Sequence, residues 1–240
     1  MTLREHLADA FGRAAPEHFA WQTRGAFVSE READLVRGAF LPLGRRVLDL
    51  GCGEGATLVH LGSPPDAVGV DLFDAKLSLA RRHLPECRFV AASVDELPFD
   101  AGTFDHVIVR DVVHHLDEPR RMVEECARVL TPGGRIDVLE PCRNNPLILM
   151  HALTNAAERG ELRSTMHFLV DLLSTRFTVQ RTSRYQAFPI HRLVLHPDLG
   201  RPSLGENGAA RALLRGIERL AESVVPRPFW AYIHVRAIAP

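Results

Sequence analysis

The feature that most constrains the fold is a nine-residue run from Val47 to Gly55 (VLDLGCGEG), in which an apolar stretch ends in alternating glycines. An apolar run bounded by glycine is typical of a buried parallel strand. Glycines at positions 51, 53 and 55 allow a sharp turn and let a ligand approach main-chain N–H groups. A helix predicted from about Glu54 to Leu61 offers further N–H groups and its positive dipole end to an anionic group. The run therefore predicts a strand that leads into a binding turn.

The glycine spacing differs from that of a dinucleotide-binding fingerprint. That fingerprint has the form G-x-G-x-x-G, whereas the glycines here alternate and Asp49 lies at the strand end, which argues against NAD. About 20 residues after Gly51, a second apolar run ends in Asp71, a carboxylate that can accept hydrogen bonds from both ribose hydroxyls. The run from Val47 to Gly55 resembles motif I of class I S-adenosylmethionine (SAM) dependent methyltransferases, and Asp71 resembles their ribose-binding acid.

The resemblance to this family covers about residues 45–141, with matching segments in the right order. The stretch from Arg88 to Phe99 resembles the third strand and the segment that contacts adenine, although Ser93 occupies the position where the family usually has an acid. Two interpretations of this stretch stay open: Ser93 and the amide of Val94 contact the adenine, or Asp95 is a helix N-cap and nothing more. The phrase from Phe104 to Leu116 resembles the fourth strand and its continuation, and Arg135 to Pro141 resembles the fifth strand.

The resemblance implies an α/β fold. We expect a Rossmann-like, seven-stranded, mostly parallel sheet with helices on both faces, an antiparallel last strand and helical cap inserts. A single domain is expected over residues 1–240, with an N-terminal helical lid (1–44), a SAM-binding core (45–141), and substrate-side inserts with the last two strands (142–240). Apolar spacing and turn residues predict helices at 2–12, 28–41, 74–84, 146–160, 165–173 and 208–223 and the last strands at 176–181 and 230–238.

The segment between the first two predicted helices, Pro16 to Phe27, carries three aromatic rings with spacing too irregular for one helix face. Two interpretations stay open. Either Phe19, Trp21 and Phe27 hold the segment on the core, or the segment folds over the glycine turn as a lid, as N-terminal segments often do in the family.

The cofactor implied by the resemblance is SAM, with S-adenosylhomocysteine as the product. Its methionine part is expected at the glycine turn, its ribose at Asp71, and its adenine near Leu72, Ser93 and Val94; the carbonyl of Arg110 is expected to accept from the amino group. The predicted cofactor-binding residues are Asp49, Gly51, Cys52, Gly53, Gly55, Asp71, Leu72, Ser93, Val94 and Arg110.

Two histidines are the candidate catalytic residues. A sulfonium carries its own leaving group, so the protein needs mainly to align a nucleophile with the methyl group and exclude water. His114 and His115 follow the fourth strand, where the methyl group should project, and either can take a proton from a hydroxyl or amine. We expect His114 to be the one that touches the substrate, and the alternative is that both are structural. Glu140 is either pocket wall or helix cap.

Composition sets the expected partners. Lys+Arg (29) and Asp+Glu (30) nearly cancel, so the chain lacks the basic excess that favours nucleic acid. No spacing among the 12 histidines forms a convincing ligand set, so no metal is expected. Four dispersed cysteines and the lack of a leader-like or membrane-spanning run favour reduced thiols in a cytoplasmic protein. We expect it to be a monomer or a homodimer.

The predicted function is SAM-dependent methyl transfer by in-line displacement to a small-molecule acceptor, at oxygen or nitrogen. Two alternatives stay open. One is a C-methyltransferase that resembles the quinone-pathway enzymes, and the other is a module that binds SAM without catalysis.

Overall fold

The computed structural model describes residues 11–197 and 200–240, so the helix predicted at residues 2–12 lies almost wholly outside the described residues. The strands are β1 (Val47–Leu50), β2 (Val68–Asp71), β3 (Arg88–Ala91), β4 (Phe104–Arg110), β5 (Leu130–Pro141), β6 (Thr178–Tyr185) and β7 (Tyr232–Ile238). They form one sheet in the order β3-β2-β1-β4-β5-β7-β6.

Strand direction follows the prediction. β1 to β5 pair in parallel, whereas β7 is antiparallel to both neighbours, β5 and β6. The predicted seven-stranded sheet with an antiparallel last strand is therefore confirmed. β6 begins two residues later than predicted and continues to Tyr185, because its pairing with β7 extends to Tyr232.

The helices in the described part of the chain are α1 (Pro16–Arg24), α2 (Ala26–Phe40), α3 (Ala56–His60), α4 (Asp74–His83), α5 (Pro119–Val129), α6 (Pro146–Thr154), α7 (Met166–Leu173), α8 (His191–Val194) and α9 (Gly208–Val224). Short 3₁₀ segments cover Val113–His115, Ala156–Arg163, Pro202–Glu206 and Arg227–Phe229. Within these residues, no helix is both long enough and apolar enough to cross a membrane.

Apolar side chains lie on both faces of the sheet, because successive strand residues point to opposite sides. Leu48 and Leu50 pack in a cluster with α5 and α7, whereas Val47 packs in a cluster with α2 and α4. β4 divides in the same way, with Val107 and Ile108 on opposite faces. Helices therefore cover both faces of the sheet, as expected for parallel strands.

The segment from Pro16 to Phe27 contains a helix that the aromatic spacing did not predict. α1 begins at Pro16, a residue suited to the first helical position, and it ends at Arg24. Its rings share no single face because they contact different neighbours: Phe19 stacks on His83, and the indole of Trp21 donates to the carbonyl of Leu195. Aromatic spacing did not predict this helix because its rings pack against several elements and not against a single surface.

Asp74, Asp117 and Asp95 are each placed in the sequence where an acid can cap a helix, but none of them does so. Asp74 is the first residue of α4 and pairs with Arg81 at 3.0 Å, so it does not cap the helix. The N-cap of α5 is Glu118, one residue after Asp117, and it makes no side-chain cap bond. Asp95 begins no helix and lies in a turn closed by a bridge between Ser93 and Glu96.

Two further boundaries differ from the prediction. The helix expected over residues 146–160 ends at Thr154, where Asn155 begins the 3₁₀ segment by accepting a hydrogen bond from the amide of Ala157. The fifth strand, expected from Arg135 to Pro141, begins five residues earlier at Leu130, and β5 pairs irregularly with β4 near His106. The four cysteines are free and buried.

Candidate active site

A cavity of about 320 Å³ lies at the carboxyl ends of the central strands, where the strand order reverses between β1 and β4. We call it the first cavity. Seven of the predicted site residues line it: Gly51, Gly53, Asp71, Leu72, Ser93, Val94 and His115. Its other lining residues are Phe11, Phe73, Lys76, Asp95, Asp111, Val112 and Leu116.

Four predicted cofactor-binding residues do not line the first cavity. Asp49 is buried in β1 beneath the glycine turn. Cys52 is also buried, and a methyl group added at Gly55 would meet Leu84 at 2.7 Å, so both positions face the packed interior. The guanidinium group of Arg110 points to Glu32 in α2.

Asp71 closes the glycine turn. Its Oδ2 accepts from the amide of Gly53 and its Oδ1 from the amide of Phe73, both at 2.9 Å. Because an ionised carboxylate has about four lone-pair sites, two remain for further donors. The side chain also lines the first cavity, so it is positioned to accept from the two hydroxyls of a ribose.

Asp49 has an unsatisfied acceptor. Its Oδ2 is buried and has no hydrogen-bond partner among the described residues. Burial raises the pKa of Asp49 to about 7, with a contribution from the Asp71 charge, although Arg110 opposes the shift. A buried acidic group in this state favours a cationic ligand nearby, because a positive charge stabilises the carboxylate.

The N-terminal part of the chain lies over the glycine turn. The amide of Ala15 donates to Oε1 of Glu54 at 3.1 Å, and the ring of Phe11 lies 4.7 Å from that of His115. Phe11 also lines the first cavity. The placement of residues 11–15 agrees with the expected N-terminal lid over residues 1–44, whereas the buried Phe19 and Trp21 of α1 hold the Pro16 to Phe27 segment on the core.

A second cavity of about 340 Å³ adjoins the first and shares Asp111 and His115 with it. Side chains from α1, α6, the following 3₁₀ segment and α8 line it, including His18, Trp21, Leu147, His151, Glu158, Glu161 and Arg192. Asp111 lies between the cavities with a left-handed φ of 55°. Such backbone conformations are uncommon for a residue other than glycine and concentrate at functional sites.

The two candidate histidines have different surroundings. His114 is buried, and its Nδ1 lies 2.6 Å from Oε2 of Glu140, while its Nε2 lies 3.3 Å from Oε2 of Glu158. Burial lowers the pKa of His114, but the two glutamates outweigh it and raise that pKa to about 10. Burial and the neighbouring His114 charge lower the pKa of His115 to about 4. Proton transfer from an acceptor to either residue stays a prediction.

Glu140 caps the turn that carries these histidines. Its Oε1 accepts from the amides of Val112 and Val113, and its Oε2 accepts from the amide of His114. Of the two roles considered for Glu140, the structure therefore supports the cap. Its side chain is fully buried at the end of β5 and does not line either cavity.

A buried ion network joins the second cavity to the sheet. Glu32 of α2 accepts from Arg110 at the end of β4, and its other oxygen accepts from Arg192 of α8 at 2.6 Å. Burial raises the pKa of Glu32, but the guanidinium groups of Arg192 and Arg110 outweigh it and lower that pKa to about 2. Because Arg192 lines the second cavity, the ion pair with Glu32 holds that wall of the cavity in place.

Comparison with known proteins agrees with this geometry. The profile of the family described as "Methyltransferase domain" matches residues 48–137. The ubiquinone biosynthesis O-methyltransferase of Dechloromonas aromatica is 30% identical over 159 residues, which cover 62% of this chain and 67% of that protein. The demethylmenaquinone methyltransferase of Clavibacter sepedonicus is 38% identical over 101 residues, 40% of this chain and 41% of that protein. The chain spans about two fifths of the length of the first curated relatives that it matches, such as the Clavibacter protein.

The fold is similar to that of solved methyltransferases. One is a SAM-dependent methyltransferase from Thermotoga maritima, described as a possible histamine N-methyltransferase, with a TM-score of 0.65 and 19% identity over 97% of this chain and 98% of that one. The first cavity lies at the switch point of this Rossmann-like sheet, which is where open α/β sheets bind their ligands. The chain belongs to the class I SAM-dependent methyltransferases. Members of this family use SAM as the methyl donor.

The first cavity fits that cofactor in three respects. Gly53 leaves open space, since a methyl group added there would meet no described atom within 4 Å. Asp71 has lone pairs for ribose hydroxyls. Beneath the glycine turn, and outside the lining of the cavity, the buried acidic group of Asp49 would favour a molecule that carries an ammonium and a sulfonium charge.

The sequence did not identify Phe11, Lys76 or Asp111 as cavity residues. Asp111 had the clearest signal, because it directly follows a predicted strand at the edge where ligands bind. Phe11 and Lys76 lie on segments whose position over the sheet edge depends on tertiary packing. The side chain of Lys76 lies over the ring of Phe11, 5.7 Å from its centroid.

We expect SAM binding to release protons near pH 7. The pKa of Asp49 is raised to about 7, so a nearby positive charge should convert the protonated fraction to carboxylate and release about half a proton per chain. Calorimetry in phosphate and in Tris buffers, which differ in ionisation enthalpy, measures this release. Asp49→Asn should abolish it, whereas Asp74→Asn, at an exposed acid paired with Arg81, should retain it. Equal heats in both buffers for the unmodified protein would contradict the assignment.

Proposed function

We propose that this protein transfers the methyl group of SAM to a small-molecule acceptor held in the second cavity, by in-line displacement at oxygen or nitrogen. The observation that carries the proposal is that the two cavities adjoin and share Asp111 and His115. A donor in the first cavity and an acceptor in the second then meet at these residues.

The chemistry supplied by the cofactor is an activated methyl group on a sulfonium with a neutral thioether as its leaving group. The protein's residues orient the two reactants and exclude water, effects that supply several kcal/mol of a barrier. Asp71 would hold the ribose, Asp49 would compensate positive charge, and Leu72, Ser93 and Val94 would hold the adenine. The N-terminal segment, with Phe11 against His115, acts as a lid.

The lining of the second cavity supports an O- or N-directed acceptor. Carboxylates and imidazoles converge on it, and they hold polar acceptor groups better than the flat apolar rings of a carbon nucleophile. Trp21, Leu147 and Leu193 give it an apolar side on which the body of the acceptor can pack. One relative of this chain is a ubiquinone biosynthesis O-methyltransferase, which agrees with an oxygen acceptor.

Turnover of SAM labelled in its methyl group, in the presence of a metabolite library, tests the proposal. We expect labelled product with at least one hydroxyl- or amine-bearing compound, and mass spectrometry identifies the methylated atom. A label on carbon would support the C-methyltransferase alternative. Binding of SAM without turnover on any acceptor would support a module without catalysis and would contradict the proposal.

A variant that fills the second cavity should separate acceptor binding from cofactor binding. We expect Leu147→Trp to lower turnover by at least about 10-fold while SAM affinity stays unchanged, because Leu147 lines only the second cavity. Leu149→Trp is the matched control, since Leu149 lies on the same helix and is 39% exposed. Equal turnover in the two variants would show that the acceptor binds elsewhere.

A further inference from the structure

Three side chains converge at the boundary between the two cavities, and we call them the His114–His115–Glu158 cluster. The histidines lie in the 3₁₀ turn after β4, and Glu158 lies in the 3₁₀ segment after α6. Nε2 of His114 is 3.3 Å and Nε2 of His115 is 3.8 Å from Oε2 of Glu158. One ligand atom from each residue lies within 4.8 Å of the others.

These distances fit ligand atoms that share one metal ion, and they also fit a long ion pair between the glutamate and the two imidazoles. An ordinary N–H···O bond spans about 2.7–3.2 Å. Around a tetrahedral ion with bonds of about 2.0–2.1 Å, neighbouring ligand atoms are about 3.3–3.4 Å apart. The His114–Glu158 separation matches the tetrahedral edge, and the His115–Glu158 separation is within half an ångström of it.

The ring of His114 is supported as metal-binding histidines usually are. Its Nδ1 lies 2.6 Å from a carboxylate oxygen of Glu140, and that carboxylate is itself held by the amides of Val112 and Val113. A carboxylate on one ring nitrogen sets the tautomer, so the other nitrogen presents its lone pair to the ion. In this tautomer Nε2, the atom directed at Glu158, is the ligand.

Close packing brings Glu158 to the histidines. A methyl group added at Gly160 would lie 1.7 Å from the carbonyl oxygen of His114, so only glycine allows this approach of the two backbones. Arg163 donates to the carbonyls of His114 and Leu116 and fastens the same segment to the turn. The cluster is therefore held from both sides by backbone contacts.

We propose that the His114–His115–Glu158 cluster binds one divalent first-row transition-metal ion, for which Zn²⁺ is the reference. Two imidazoles and one carboxylate are typical of such ions, whereas Mg²⁺ and Ca²⁺ prefer oxygen ligands only. Three protein ligands leave a coordination position open, as in catalytic zinc sites. His151 and Glu161 lie beside Glu158 in the wall of the second cavity and form a second group of suitable atoms that shares it.

The position of the site indicates its use. His115 lines both cavities, so an ion here faces the acceptor at the point where it meets the donor. A Lewis acid at this point can hold an acceptor oxygen and lower its pKa. This role rests on the proposed function, whereas metal binding itself does not.

Metal titration of the full chain tests the site. Protein without a polyhistidine tag is treated with EDTA, desalted, and titrated with Zn²⁺ in competition with a chromogenic chelator, without SAM or acceptor. We expect one tightly bound Zn²⁺ per chain, and Co²⁺ should give the visible absorption bands of a four- or five-coordinate site. Glu158→Gln and His115→Asn should each lower Zn²⁺ affinity by more than about 100-fold.

The control is His167→Asn, at an exposed histidine paired with Asp171 on α7, which should keep full affinity. Circular dichroism verifies that each variant is folded. Absence of stoichiometric Zn²⁺ binding, or unchanged affinity in both cluster variants, would overturn the proposal and leave a charged His114 paired with two glutamates. Because SAM calorimetry and turnover are measured separately, failure of the metal site and failure of the methyltransferase proposal are distinguishable.

Discussion

Gly53→Arg should lower SAM affinity by more than about 100-fold, which corresponds to about 2.8 kcal/mol of binding free energy. Gly53 lines the first cavity, and a side chain added there would extend into open space. An arginine would occupy the volume that the cofactor needs and would add positive charge beside a cationic ligand. Calorimetry with SAM and with S-adenosylhomocysteine measures the loss. Undiminished affinity for both would show that the cofactor binds elsewhere.

Gly133→Arg is the matched control. Gly133 has a similarly left-handed backbone, with φ of 72° against 53° for Gly53, and a side chain added there also meets no described atom within 4 Å. Both variants should therefore carry a similar conformational cost, about 1 kcal/mol. Because Gly133 lies in β5 and lines neither cavity, only the Gly53 variant should lose SAM affinity.

Glu32→Gln should lower the free energy of unfolding by about 3–5 kcal/mol, because it leaves the buried guanidinium groups of Arg110 and Arg192 without their shared carboxylate. Glu30→Gln is the matched control on the same helix. It removes an exposed ion pair with Arg215, so its cost should be below about 1 kcal/mol. Urea unfolding of the three proteins at pH 7 measures both values. Equal costs would contradict the buried-network interpretation.

The same comparison has a defined pH dependence. The pKa of Glu32 is lowered from 4.5 to about 2, so its ionised form stabilises the folded protein above pH 4.5. That stabilisation is lost as the pH falls from 4.5 to about 2, because the folded protein then takes up the proton that the unfolded chain already holds. The difference between the unmodified protein and Glu32→Gln should therefore shrink over this window. A difference that stays constant would show that the charge of Glu32 is not its source.

The strands of the sheet and most of the first cavity were predictable because the signals are local. An apolar run such as Val47 to Leu50 identifies a buried strand, and the glycine turn and Asp71 follow consecutive strands. Parallel strands bring their carboxyl ends to one edge, so residues that follow different strands meet without further information. This rule brought Asp71, Ser93 and His115 to one cavity.

The second cavity was not predictable because its walls come from segments far apart in the chain. Glu158 follows His115 by about forty residues, and no periodic pattern joins them. Glu32 is next to Arg31 in a charged stretch and has the pattern of a surface acid, although it is fully buried. Its burial depends on two arginines supplied by β4 and α8. Such long-range charge compensation leaves no signal in a single sequence.

The division of the two cavities between different parts of the chain has a consequence for the diversity of such proteins. In the proposed arrangement the donor binds in the first cavity at the carboxyl edge of the sheet, whereas the acceptor binds in the second cavity, which is lined mainly by α1, α6, α8 and the 3₁₀ segment after α6. Substitutions in these segments can change the choice of acceptor without disturbing strand packing, provided that the ion pairs of Glu32 with Arg110 and Arg192 are kept. New acceptor specificities can therefore arise by changes in these helical segments while the sheet and the cofactor site stay the same.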